Sequence, residues 1–290
     1  QECAVPAGLD IFLKEAQREL SLTLSARQED AVRKAFTHLV SIVTGGPGTG
    51  KTTVQKVMLH IHKKLGGTDV LLTAPTGRAS RRMAESTGHT EAMTMHSALG
   101  LTYDEDSAEM ESMLEAGFII ADEFTMSDMR LSYEFFCHIR KGSRLVLVGD
   151  IDQLPSVGPG NVFRELVQCG VIPVTVLDTV FRQGEDSRII TNAHRMQENN
   201  TSLDYGEGFT FIPAKDAKTA GDLVVELYRT CADRYGMEQV QVLSPYRRKG
   251  DASVNSLNER LWEICSRKGS GSLELQSGGH TFRTGDRIIH

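Results

Sequence analysis

Gly45-Gly46-Pro47-Gly48-Thr49-Gly50-Lys51-Thr52 is the stretch on which the chain turns. It fits G-x-x-x-x-G-K-[ST] at every defined position. Its flanks fit too. Ser41-Ile42-Val43-Thr44 reads as a buried strand, and Thr53 to Leu65 as a helix. That strand–loop–helix context gives the pattern its meaning as a nucleotide loop. Glycines let the backbone curl until successive N–H groups point at phosphate oxygens, and the helix N-terminus adds partial positive charge. Lys51 is expected to reach the β- and γ-phosphates, and Thr52 to hold a Mg²⁺. Thr53 opens the helix beside them.

Working outward, two more strand ends carry chemistry. Gly117-Phe118-Ile119-Ile120-Ala121-Asp122-Glu123 is an apolar run closed by two carboxylates. A buried parallel strand would deliver Asp122 to its tip as a magnesium holder, and Glu123 would polarise an attacking water. Arg144-Leu145-Val146-Leu147-Val148-Gly149-Asp150 is a further strand, running into Ile151-Asp152-Gln153-Leu154-Pro155. The Gln153 amide can accept from water and donate to a γ-phosphate at once, so it is expected to sense that phosphate.

Two remaining strands are Asp69 to Thr73 and Pro173 to Leu177. The first leads into Pro75-Thr76-Gly77-Arg78-Ala79-Ser80-Arg81-Arg82, a cationic turn where open α/β sheets place ligands. Ser25 with Gln28 is a capping box opening a helix. Gln28 has a second reading as the reader of an adenine ring, and both stay open. Leu9 to Leu20 reads as a lead-in helix. The strand–helix alternation predicts an α/β fold: a parallel sheet with helices on both faces.

After Gln183 the pattern restarts. Ser187 to Gln197, Ala217 to Tyr235 and Val254 to Ile264 are expected helices. Phe209 to Ile212, Gln239 to Leu243 and Thr281 to Arg283 are expected strands. Ser244-Pro245-Tyr246-Arg247-Arg248-Lys249 repeats the basic turn at a strand end.

Composition excludes several classes. The 290 residues are 40% hydrophobic and 24% charged, with net charge −6, as in a globular protein of up to two domains. No apolar run is long enough for a membrane span. Five scattered cysteines suggest neither a zinc site nor a disulfide framework, and fit a reducing, cytoplasmic setting. The start at Gln1 has neither an initiator Met nor a signal-peptide pattern, pointing to a beginning inside a longer protein.

Together these blocks resemble superfamily 1 DNA helicases, most closely the RecD-like branch moving 5′→3′. The likeness runs from Ser21 to His290. Gln28 resembles the Q motif, Gly45 to Thr52 motif I, and Thr73 to Ala79 motif Ia. Thr94-Met95-His96 resembles motif Ib, Ala121-Asp122-Glu123 motif II, Gly149 to Gly158 motif III, and Thr179-Val180-Phe181-Arg182-Gln183 motif IV. The string around Gln153 is the most specific.

The resemblance implies a P-loop NTPase. A RecA-like domain spans 21–178 after a lead-in at 1–20. A partial second RecA-like domain spans 179–290, with an inserted domain starting near its end. It implies ATP and Mg²⁺ as cofactors. Lys51, Glu123, Gln153 and the arginine finger Arg182 would serve hydrolysis, with Thr52 and Asp122 on the metal. Single-stranded DNA would meet Pro75, Thr76, Arg78 and His96, with Tyr246 and Arg247 forming a second grip; closing and opening of two lobes would drive steps along it. Partners implied are single-stranded DNA, its junctions with duplex, and proteins of a recombination or repair complex, as for an exodeoxyribonuclease V alpha subunit. The family's motifs V and VI are not found before His290, which implies a C-terminally truncated fragment. Asp104 to Glu111 is acidic where relatives carry a strand-parting pin. The alternatives are a translocase that moves without unwinding, and a module that binds ATP and single-stranded DNA with little turnover.

Overall fold

The structure is a computed structural model. It describes residues 3, 5–89, 91–101, 113–179, 187–265, 273–277, 280–284 and 286. They divide into two compact units, Gln1–Leu203 and Asp204–His290.

The first unit opens with α1 (Leu9–Glu19) and α2 (Ala26–Thr37), then β1 (Val40–Gly45) and α3 (Lys51–Lys64). Next come β2 (Val70–Ala74), α4 (Gly77–Thr87), the short β3 (Met93–Thr94), α5 (Met95–Ala98) and β4 (Phe118–Ala121). After it follow α6 (Met129–His138), β5 (Arg144–Gly149), α7 (Val162–Gln168), β6 (Val174–Leu177) and α8 (Arg188–Gln197). The six strands form one parallel sheet in the order β3-β2-β4-β5-β1-β6. This is the α/β sheet expected. β3 is an addition: two residues give too short an alternation to announce a strand.

Side chains alternate between the faces of a strand, and each face has its own core. One face packs Val43, Leu72, Phe118, Ile120, Val146 and Val148 against α1 to α4. The other packs Ile42, Ile119, Ala121, Leu145 and Leu147 against α5 to α7. Burial on both faces explains why β1, β4 and β5 read as continuous apolar runs. Because all strands run the same way, every strand-to-helix turn lies at one edge of the sheet.

Register shapes that edge. Ile42, Leu147 and Ala121 lie in one row. There β4 ends, while β5 continues to Gly149 and β1 to Gly45. Asp122 and Glu123 therefore emerge in a notch beside the loop after β1. Phe124, in the 3-10 turn Phe124–Met126, is wholly buried among Phe135, Phe136 and Phe163. Burying such a ring stabilises by about 2–3 kcal/mol, which pins the chain just after the two acids.

The second unit holds α9 (Ala217–Tyr235), α10 (Val254–Cys265) and an antiparallel pair, β7 (Glu274–Ser277) with β8 (His280–Arg283). The guanidinium of Arg283 stacks 3.9 Å from the Trp262 ring centroid and bonds Glu274, while Trp262 Nε1 donates to Asp286. The strands expected at 209–212 and 239–243 are not formed. Gly206 and Phe209 make an isolated backbone bridge, and Met237–Gln239 is a 3-10 turn. Strand propensity needs a neighbour to pair with, and Phe211 and Leu243 stand 65% and 86% exposed. The strand-like Arg287-Ile288-Ile289 lies outside the described residues, as do Asp104 to Glu111.

Candidate functional site

The loop after β1 is shaped by close approach. A Cβ on Gly45 would lie 2.6 Å from the Leu177 carbonyl oxygen. Gly48 and Gly50 take φ of 82° and 84°, the left-handed region open to glycine. Gly50 caps α3 without a side-chain bond, so the N–H groups of its first turn face outward to accept an anion. Within the loop, Thr49 Oγ1 donates to the Gly46 carbonyl at 2.8 Å. Lys51 Nζ donates to the carbonyls of Gly45 and Gly46. The ammonium thus lies folded along the loop it serves.

Gln28 is 3% exposed. Its Oε1 accepts from Ser25 N at 2.9 Å, and Ser25 Oγ accepts from Gln28 N at 3.3 Å. This is the capping box read in the sequence. Gln28 Nε2 also donates to the Thr49 carbonyl at 3.1 Å. The amide is engaged at both ends, tying the start of α2 to the nucleotide loop.

The carboxylates gather in the notch. Asp122 N donates to the Thr73 carbonyl at 2.8 Å, and Glu123 N to Asp122 Oδ1 at 2.9 Å. Burial pushes the Asp122 carboxyl above the usual carboxylate range, against the opposing Gln55 amide, the Glu123 N–H and Lys51. Burial also raises Glu123; Asp122 and Asp150 push it further, while Lys51 and Arg82 oppose. Glu123 has φ of 50°, unusual for a residue with a Cβ and typical of strain held at functional sites.

The loop after β5 is tied to both neighbours. Ile151 N donates to Thr44 Oγ1 at 3.2 Å, and Thr125 Oγ1 bonds the Asp150 backbone. Gln153 is exposed beyond them, its N–H bonded to the Asp150 carbonyl. The lysine, the acidic pair and the glutamine loop thus share one edge of the sheet. Three residues missed by sequence reasoning belong there: Thr44, Asp150 and Gln55. Asp150 is 2% exposed and carried a readable signal, an acid closing an apolar strand. Thr44 and Gln55 carried none.

Oxygen donors suit a hard cation here. Among the described residues no cluster of three His, Cys, Asp or Glu side chains could hold a metal. Magnesium on a nucleotide needs only one or two protein oxygens, the rest coming from phosphate and water. The Thr52 hydroxyl and Asp122 fit that requirement.

β3 pairs with β2 and sets Thr94 beside Ala74, which brings the Pro75 turn and His96 together. Thr76 N-caps α4, accepting from Ala79 N at 3.3 Å, and Arg78 is exposed. His96 is half-buried in α5. Tyr246 and Arg247 are exposed in the second unit, with Lys249 Nζ 6.0 Å from the Tyr246 ring centroid. Arg182 lies outside the described residues, along with 180–186. No described helix is long and apolar enough to cross a membrane.

The chain is similar to the ATP-dependent RecD2 DNA helicase of Deinococcus radiodurans, 33% identical over 92% of this chain and 36% of that protein. It is also similar to the RecBCD enzyme subunit RecD of Mycobacterium tuberculosis, 34% identical over 52% of this chain and 30% of that one. The chain thus spans about a third of the length of these curated relatives. Among solved structures it is similar to a Pif1 helicase from Candida albicans, at 21% identity and TM-score 0.49, covering 76% of this chain and 56% of that one. The family model described as an AAA domain matches residues 23–217. The chain belongs to the AAA domain family.

Proposed function

We propose that this chain carries the ATP-hydrolysing and DNA-gripping machinery of a RecD-type DNA helicase or translocase. One observation carries the reading: Lys51, the Asp122–Glu123 pair and the Gln153 loop meet at one edge of a single parallel sheet. The relatives, an ATP-dependent DNA helicase and a RecBCD subunit, support the same activity and a protein partner in repair or recombination.

In this reading the loop N–H groups receive the phosphates. Lys51 exchanges the Gly45 and Gly46 carbonyls for phosphate oxygens. Thr52 and Asp122 would hold Mg²⁺, which when bound would supply charge neutralisation on the phosphates. Glu123 takes a proton from the attacking water; its raised proton affinity suits a base. Gln153, exposed on its loop, reads the γ-phosphate, and Arg182 completes the charge stabilisation.

DNA contact falls to the turn after β2. Thr76, Arg78 and the N-terminus of α4 offer phosphate contacts, Pro75 and His96 apolar or stacking ones. Tyr246 and Arg247 supply a second basic turn with an aromatic face. The substrate is single-stranded DNA and its junction with duplex.

The test is the ATPase rate of the 290-residue chain with and without single-stranded oligonucleotide, for the wild type and Lys51→Ala. DNA-stimulated turnover that the variant loses supports the reading. Equal turnover by both proteins would refute the site.

A further inference from the structure

Gln55 stands out among the buried polar groups. It is 1% exposed, and neither its Nε2 nor its Oε1 has a well-formed hydrogen bond. A buried amide left in that state opposes folding, so its retention asks for a use. Its position supplies one. Gln55 follows Lys51 by four residues on α3, so the two share a helix face. The Asp122 side chain has the parity of Phe118 and Ile120, which pack with Val54, Val57 and Met58 of α3. Gln55 thus lies on the helix that covers the face of β4 continued by Asp122.

We propose that Gln55 is a positioning residue whose amide orients the Asp122 carboxylate toward the magnesium–nucleotide complex. The inference rests on the nucleotide-site reading above and deepens it. The Nε2 group would donate to Asp122 and fix the orientation in which the carboxylate would hold the ion. Outer partners of this kind fix the rotamer of a metal-holding side chain, and their loss weakens metal affinity by about 10–100-fold. Gln55 touches no reacting atom in this scheme; it acts through Asp122.

The experiment is a titration of the 290-residue chain with a fluorescent ADP, with and without Mg²⁺, for the wild type, Gln55→Met and Gln55→Asn. Each protein is also followed by thermal unfolding. Methionine keeps the volume and removes the unsatisfied amide. Gln55→Met is therefore expected to melt at or above the wild-type temperature and to bind ADP without Mg²⁺ within about two-fold of it. The tightening that Mg²⁺ gives the wild type is expected to fall about ten-fold. Gln55→Asn, with its amide on a shorter stem, recovers part of that tightening and serves alone if the methionine variant does not fold. Variants that tighten with Mg²⁺ as the wild type does would overturn the role of Gln55 and leave the site reading in place. A variant that only melts lower, its Mg²⁺ response intact, would make Gln55 a packing residue. A wild type that binds no nucleotide would overturn both.

Discussion

The acids at the two ends of the parallel sheet stand in opposite condition. At the end where β2, β4 and β5 begin, the carboxylate Asp69 is partnered. Asp69 Oδ2 accepts from Gly117 N at 2.9 Å and lies 3.5 Å from Arg140 Nη2. The His62 ring stacks on Phe118 at 4.8 Å and reaches Asp69 at 4.0 Å. A Cβ on Gly67 would fall 2.2 Å from that ring, so glycine is what lets the ring lie there. At the end where the strands finish, Asp122 and Glu123 are held against their preferred charge, Gln55 is unsatisfied, and Glu123 is strained. The partnered carboxylate at one end serves architecture. The buried acids at the other, held against their preferred charge, are poised for something they bind.

The comparison breaks first at Glu123. Glu123→Gln keeps size and polarity and removes the base. Turnover in an ATPase assay is expected to fall about 10²–10⁴-fold, with nucleotide affinity changed by no more than about three-fold. Lys51→Ala comes next. Removing a charge from a phosphate contact is expected to weaken nucleotide binding by about 2–5 kcal/mol, read by the same fluorescent titration. Neither change should lower the melting temperature by more than a few degrees. A large loss of stability from either would move that residue to the architectural class.

How much of this was readable beforehand follows from the range of each signal. The loop at Gly45 to Thr52, the Ser25–Gln28 box and the buried runs of β1, β4 and β5 are local patterns, and all are present. Gln55 is invisible in sequence because one polar residue on an apolar helix face looks like any surface position. Only the packing of α3 against the sheet and its neighbouring helices buries it. Phe209 to Ile212 misled in the opposite direction. Its alternation is that of a strand, yet a strand exists only against a neighbour.

The partnered end gives smaller effects. Asp69→Ala removes the acceptor for Gly117 N and is expected to cost about 1–2 kcal/mol in chemical denaturation, with nucleotide affinity unchanged. His62 adds a pH dependence. Burial holds its folded-state pKa below the ordinary value of 6.5, Arg144 reinforcing and Asp69 opposing. The unfolded chain therefore binds the proton more readily. Stability present in full above about 6.5 declines as pH falls through the window between that value and the lower folded one. His62→Phe keeps the stack on Phe118 without the titration. Denaturation curves of the two proteins should diverge only on acidification. Parallel behaviour would assign the acid response elsewhere.

The central claim is that the loop after β1 and the acids after β4 serve one magnesium–nucleotide complex. A crystal structure of the chain with Mg²⁺ and a non-hydrolysable ATP analogue tests it most directly. Lys51 Nζ should have left the Gly45 carbonyl for phosphate, with Thr52 and Asp122 flanking the ion. A nucleotide bound elsewhere, with Lys51 still on the loop carbonyls, would contradict the account.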